Sequence, residues 1–406
     1  MQRTEAGGQR ESFLWLLATT LLGAAAVGVF LYMPIVAGAL TGEYKFTPQR
    51  VGEFSSLQLV AISAGCFLNV YLSRRCSVRV IGAVTLAVLL LMDLASPHIR
   101  DYSLFLVSRV LAGFAGGVAV SLTTGLLARS SRAELGFGFF LTLQITLKIV
   151  GLWYLPKVVQ ALGLQGLFGY MAGIDALALL GVLTMLPGRL LYEKATVGIL
   201  PRTRNGARDW LLCGVLLVGI FAFFNAVGGF WTYVALIGSQ AGLSAQTVGS
   251  ALSLATFGGL AGAIVPVLLQ NKAGHVVPAV FASAMLLFSL YLLMVSGAFA
   301  TYALAAGGFC FGWYMLSPYQ LAVLAALDRD GRPSVTSAAL TGLGLGTGPA
   351  IVSEFANSGL SAAYVVGAAG VLLSALLTIV GATAGRSAHR AGVAIVTDVV
   401  ARPAGG

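Results

Sequence analysis

The chain has 406 residues, of which 58% are hydrophobic and only 9% charged, and its mean hydropathy is +0.91. Soluble globular domains carry about a quarter charged residues, so this composition excludes them and describes an integral membrane protein. The net charge of +10 does not indicate nucleic acid, because the basic residues are spread over short connections between apolar runs.

In chain order, residues 1–12 (MQRTEAGGQRES) form a mixed-charge start. The run behind them is too long for the apolar core of a signal peptide and has no convincing cleavage site, so an uncleaved cytoplasmic segment is expected. The apolar runs are about 20 to 28 residues long and lack strand-like alternation, and in lipid such runs satisfy their backbone only as helices. A sliding window places them at 13–40, 50–72, 79–96, 103–127, 134–157, 165–187, 209–237, 246–270, 276–296, 299–326, 334–356 and 361–383. The expected fold is an all-α membrane protein with about twelve transmembrane helices in two pseudo-symmetric six-helix bundles, 13–187 and 209–383. A cytoplasmic linker at 188–208 joins them; it is basic and carries Pro201 and Gly206, the composition of a flexible connection. The polar tail at 384–406 is expected to be cytoplasmic and disordered.

An internal repeat supports the division into halves. The stretch QRVGEFSSLQLVAISAGCFLNVYL, Gln49 to Leu72, returns 197 positions later as QTVGSALSLATFGGLAGAIVPVLL, Gln246 to Leu269. The two copies share Gln49/Gln246, Gly52/Gly249, Ser56/Ser253 and Gly65/Gly262 without a gap. A shorter echo pairs LARSSRA (127–133) with LDRDGRP (327–333).

Lys and Arg in the connections set the orientation. With the start of the chain inside, eighteen of the 24 fall in inner segments, whereas the outer segments hold only Lys45, Arg50, Arg100 and Lys157. Both termini are therefore expected to be cytoplasmic, in a multi-pass protein of the plasma (inner) membrane.

Arg109 and Lys148 are left inside spans. A charge at the bilayer centre costs about 2.5 to 3.5 kcal/mol, so the intramembrane ionisable residues Glu53, Asp93, Arg109, Lys148, Asp175 and Glu354 are functional candidates. At about 1.5 Å per residue, Asp93 and Arg109 lie roughly 6 and 9 Å from the outer ends of their spans, and Lys148 and Asp175 roughly 14 Å. Lys148 shares a helix face with Gln144 and Gly151, which suits an anionic group of a substrate; the alternative is that it neutralises Asp175 on the next helix. Asp175 is a candidate proton carrier. Arg109 either contacts substrate, takes part in proton coupling, or pairs with Asp93. Glu53, which starts a stripe with Ser56 and Ser63, and Glu354 are further proton-coupling candidates near the outer ends of their spans, where interfacial solvation also accounts for them.

Three histidines, His98, His275 and His389, are scattered over loops and tail, and Cys66, Cys213 and Cys310 lie in apolar runs. Neither a metal site nor a disulfide framework is implied, no nucleotide-binding loop occurs, and no cofactor is expected. The acids are isolated, so a membrane-embedded enzyme lacks its constellation.

FLVSRVLAGFAGG, Phe105 to Gly117, resembles the fourth-helix signature of the major facilitator superfamily, an Arg followed four residues on by Gly and then small residues. The loop NVYLSRRCSVR (69–79) is a degraded form of the superfamily's loop signature, with Asn69 and Ser73 in its Gly and Asp places. VLLQNKAGH (267–275) is its second copy. The proline-glycine signature of exchangers is missing from the fifth span and echoed only by TGLGLGTGP (341–349) in the eleventh. The resemblance covers 13–383 and implies a secondary transporter whose halves rock about a midplane site. It also implies that the first, seventh and tenth helices line the cavity, which adds Tyr32, Asn225, Trp313, Tyr314, Ser317 and Gln320 to Lys148, Gln144 and Arg109 as substrate-binding candidates. The expected function is alternating-access transport of a small organic anion, aromatic or not, by proton symport, in a monomer. The alternative is a proton-coupled exporter of drugs or other amphipathic compounds.

Overall fold

Each apolar run folds as helix, the conformation in which its amides bond without water. The computed structural model describes residues 13–401, apart from 131, 187, 189–205, 270, 271, 273, 296, 330, 357 and 358; of residue 335 and of 385–401 it describes the backbone alone. The helices are α1 (Phe13–Ala26), α2 (Gly28–Leu31), α3 (Met33–Glu43), α4 (Pro48–Leu72), α5 (Val78–Ala95), α6 (Tyr102–Leu127), α7 (Ala133–Met185), α8 (Ala207–Gln240), α9 (Ala245–Leu269), α10 (Val276–Val295), α11 (Phe299–Leu327), α12 (Arg332–Ala356) and α13 (Ser361–Ala401). Among the described residues, ten helices are long and apolar enough to cross a membrane. The linker expected at 188–208 lies outside the described residues apart from 188 and 206–208.

Three elements differ from expectation. The first span, expected unbroken over 13–40, is interrupted at Val27 (φ −107°, ψ 9°) and Tyr32 (φ −104°, ψ 11°). Pro34 explains the second break, because it has no N–H to donate and its ring crowds the carbonyl four residues back. The fifth and sixth spans run together as α7, 53 residues whose one non-helical residue is Gly163 (φ 61°, ψ −152°), in a backbone region open essentially to glycine alone. The last expected span, 361–383, runs on as α13 to Ala401; the first proline after residue 361 is Pro403.

The helices form two compact units. The first runs to Phe46 and resumes at Leu57 through the end of α7; the second takes Thr47–Ser56 together with α8 onward. The core of the first unit gathers Leu22, Leu86, Val118, Leu122 and Val182 from α1, α5, α6 and α7. In the second, the Tyr233 hydroxyl on α8 donates to the Pro48 carbonyl at 3.0 Å, and Gly52 lies against Ser353 and the Pro349 carbonyl.

Lipid offers no hydrophobic drive for one helix to leave it for another, so helices associate through close packing, and small residues permit it. On α4 and α6, Gly65 lies against the Phe114 carbonyl, Gly113 against that of Gln58, and Gly117 against that of Ile62. On α9 and α11, Gly262 lies against the Phe311 carbonyl and Gly258 against that of Gly307. Gly65 and Gly262 are 197 positions apart, and so are Phe114 and Phe311. The repeat read from the α4 and α9 sequences therefore extends to their partners, as one helix crossing built twice.

Candidate functional site

The short turn between α5 and α6 brings two charges together. Asp101 caps α6 by accepting the Leu104 N–H at 2.9 Å, and the Tyr44 hydroxyl ties the turn to α3 by donating to the Pro97 carbonyl at 2.7 Å. Asp93, in the last turn of α5, then accepts from Arg109 Nη1 at 2.7 Å. Arg109 is 0% exposed. Its guanidinium lies over the rings of Phe105 and Phe168, at 6.0 and 5.0 Å from their centroids, an arrangement in which aromatic faces attract a desolvated cation. Asp175, on the limb of α7 beyond Gly163, is equally buried and lies near Asp93 and Arg109. Arg109 Nε and Nη2 and Asp175 Oδ2 have no hydrogen-bond partner among the described residues.

Of the pairings open from sequence, Arg109 takes Asp93. Asp175 lies near that pair. Arg109, one of the substrate-binding candidates, is thus enclosed within the first unit and paired with Asp93.

Lys148 lies elsewhere on α7, 3% exposed, on the face that carries Gly151, Leu152 and Leu155. This face meets the break in the first span. The Tyr32 hydroxyl donates to the Leu147 carbonyl at 3.2 Å, the Tyr32 ring covers Gly151, and Tyr170 packs edge-on against Tyr32 at 5.6 Å. Gln144, one turn before Lys148, is half-buried.

In the second unit Trp313 packs against Trp231 (6.2 Å between ring centroids) and Tyr314 (5.0 Å), and Tyr314 rests on Gly259. The Ser317 hydroxyl donates back to the Trp313 carbonyl at 3.2 Å. Gln320 and Asn225 are engaged between helices. Gln320, 1% exposed, donates to Ser374 Oγ at 2.5 Å and Thr378 Oγ1 at 3.2 Å on α13, and Asn225 donates to Thr347 Oγ1 on α12 at 3.0 Å. Around Asn225 the TGLGLGTGP stretch has a packing role: Gly348 lies against the Asn225 carbonyl and Gly344 against that of Phe221, while Gly228 of α8 lies against that of Leu345. Glu53 is half-buried and accepts from Gln49 Nε2 at 3.0 Å, one turn back on α4. Glu354 is exposed on α12.

Replacing Gln320 with Leu removes two interhelical hydrogen bonds and also a carbonyl oxygen that has no partner among the described residues. In membranes such bonds average about 0.6 kcal/mol, so the thermal midpoint of purified Gln320→Leu is expected to fall only slightly, with ligand affinity unchanged.

Glu43 has no counterpart in the sequence reading. Its Oε2 accepts the Leu164 N–H at 3.1 Å, and Gly163 leaves room for the carboxylate. A negative charge there complements the N-terminus of α7's second limb. The signal in the sequence is a lone glycine between two apolar runs, which marks a helix start in need of a cap but does not say which residue supplies it.

A family model described as Major Facilitator Superfamily matches residues 18–350. No curated protein matches the sequence. Among solved structures, the chain is similar to a peptide transporter, POT, in complex with sulfate (TM-score 0.72, 14% identity, 94% of this chain and 96% of that one). It is also similar to the nucleoside transporter NupG (TM-score 0.66, 15% identity, 91% and 98%) and to a D-xylose-proton symporter (TM-score 0.66, 16% identity, 90% and 97%). At these identities the likeness is one of fold.

Proposed function

This chain belongs to the Major Facilitator Superfamily and is a secondary transporter of that kind, spanning the membrane several times; we propose that its cargo is a small organic anion, carried by alternating access with proton symport. In this reading α1, α2 and α3 make one crossing and α7 makes two, which gives twelve spans, six on each side of the linker. The excess of Lys and Arg in alternate connections puts both termini in the cytoplasm of a monomer in the plasma (inner) membrane.

The observation that carries the cargo's charge is Lys148. It is a cation enclosed in the middle of a transmembrane limb, beside a helix broken at Tyr32. Helix breaks are tolerated in membranes where they face protein or a cavity, and transporters use them at substrate sites. A carboxylate fits the ammonium group there, with Gln144 one turn away as a further hydrogen-bonding group. The aromatic group of Trp231, Trp313 and Tyr314, within the second unit, by itself favours the second reading, export of amphipathic compounds by proton exchange. The similar folds carry nucleosides, peptides or D-xylose, a range too wide to name the cargo.

The test is ligand-induced thermal stabilisation of purified protein across aromatic and aliphatic carboxylates, sugars and amphipathic amines. Carboxylates are expected to stabilise the wild type. Lys148→Gln is expected to weaken them about 10- to 100-fold, the loss of one charge-assisted hydrogen bond. Stabilisation by amphipathic amines, undiminished in Lys148→Gln, would establish the exporter reading instead. Uptake of the stabilising ligand into proteoliposomes under an imposed pH gradient then fixes the direction of coupling.

A further inference from the structure

We infer that Tyr32 is a positioning residue for Lys148: it clamps the broken first span onto both limbs of α7 and so fixes the place of the buried ammonium group. As a statement about cargo this rests on the reading of Lys148 above; as a statement about the cation's place it rests on the packing around Tyr32.

A lysine carries its charge on a flexible four-carbon stem, so a cation held in one place needs a rigid support. Support is weakest where Pro34 breaks the first span at Tyr32, and three contacts of Tyr32 make up for it. Its hydroxyl donates to the Leu147 carbonyl at 3.2 Å, and its ring covers Gly151. These positions stand one before and three after Lys148, on one side of the helix, so the tyrosine brackets the lysine. Tyr170, on the limb of α7 beyond Gly163, packs edge-on against the same ring at 5.6 Å. The residue types agree with this role. A phenylalanine would fill the same space, and a hydroxyl among buried side chains is costly unless it is hydrogen-bonded. Here its proton goes to the backbone beside Lys148, which leaves none to donate to a cargo. At Gly151 any side chain would run into the Tyr32 ring.

The rest of the first span is held on either side of this joint. Before the break, α1 is seated on α6: Thr123 Oγ1 donates to the Thr19 carbonyl at 3.3 Å, and Gly116 lies against the Ala26 carbonyl. Beyond the break, α3 is tied to α7 a second time, where Glu43 accepts the Leu164 N–H. Tyr32 stands between the two parts, and a shift of either reaches Lys148 through its ring and hydroxyl.

Amine labelling of the purified full-length protein, read residue by residue by mass spectrometry, tests the clamp without a cargo. Lys148 is 3% exposed and reacts only when its surroundings open, so its rate follows the opening equilibrium. Tyr32→Phe keeps the ring and loses the hydroxyl; it is expected to raise that rate about 2- to 10-fold, the factor for one hydrogen bond. Gly151→Ala, which keeps Tyr32 but displaces its ring, is expected to raise it too. Thiol labelling of Cys66, in the α4–α6 seam of the same unit, is expected to keep its wild-type rate, which a general loosening would not allow. A Lys148 rate unchanged in either variant overturns the proposal, and so does a rise at Cys66 equal to that at Lys148. Binding is the second arm, read by carboxylate-induced thermal stabilisation. Tyr32→Phe is expected to weaken carboxylates by a similar factor, about 2- to 10-fold, and to have no further effect in Lys148→Gln. Equal losses in the two backgrounds would make Tyr32 a cargo contact in its own right and end its assignment as a positioning residue. If labelling behaves as expected while no carboxylate stabilises the wild type, the clamp stands and the cargo reading falls.

Discussion

Arg109→Leu is expected to be the most destabilising single substitution in the first unit, at about 3–5 kcal/mol, the range for removing one partner of a buried ion pair. The change leaves Asp93 buried without the cation it pairs with. A buried carboxylate without its partner must take up a proton to stay there. Thermal unfolding of purified protein reads the loss, and two further arms identify its cause. Adding Asp93→Asn to Arg109→Leu removes the uncompensated charge and is expected to restore most of the midpoint. Acidification, which supplies that proton, is expected to narrow the gap between variant and wild type. A deficit independent of pH and of Asp93 would mean that Arg109 acts by packing on Phe105 and Phe168, and not by its charge.

Gly117→Leu is expected to be the second large effect. A side chain at Gly117 runs into the Ile62 carbonyl, in backbone on the facing helix that cannot move aside as a side chain could. α4 and α6 must separate along the whole seam that Gly65 and Gly113 also form. Overpacking typically costs about 1–3 kcal/mol and occasionally more, and a seam closed by carbonyls belongs at the upper end. Gly169 is the control: nothing lies within 4 Å of its missing side chain, so Gly169→Leu is expected to stay within about 0.5 kcal/mol. Equal thermal midpoints for the two variants would refute the claim that the glycines act by permitting contact.

The difference between these two glycines is invisible in the sequence, where both sit in apolar helices. What the sequence does carry is periodic and local. Runs of apolar residues and the return of the Gln49–Leu72 stretch give the helices and their duplication, since each depends on residues near in sequence. Partnerships across helices depend on rotation about the helix axis, and one turn can decide them. Gln320 shares its face with Leu316, Val323 and Leu324, all buried, and so meets α13 rather than a cavity. Ser317 and Tyr314 lie on the half-buried side of the same helix. Asp175 could be matched to Lys148 by depth alone, but depth does not say which of three neighbouring helices a side chain turns toward. Glu43 was illegible for another reason: its partner is a backbone N–H 121 positions away, a contact that leaves no mark in side-chain type. The bend at Gly163 and the break at Tyr32 were marked by Gly and Pro, whose backbone effects are known, yet apolar runs on both sides masked them.

Asp93 and Arg109 stand 16 positions apart on consecutive helices, joined by a turn whose cap and hydroxyl tie hold it short. During biosynthesis these two helices leave the ribosome before α7 has emerged. Delivered singly, each helix would bring one charge into the hydrocarbon, at about 2.5 to 3.5 kcal/mol apiece. Delivered together, with the pair closed, the hairpin is electrically neutral to the translocon. The same ion pair that anchors the finished cluster thus gives the nascent chain a cheaper route into the bilayer.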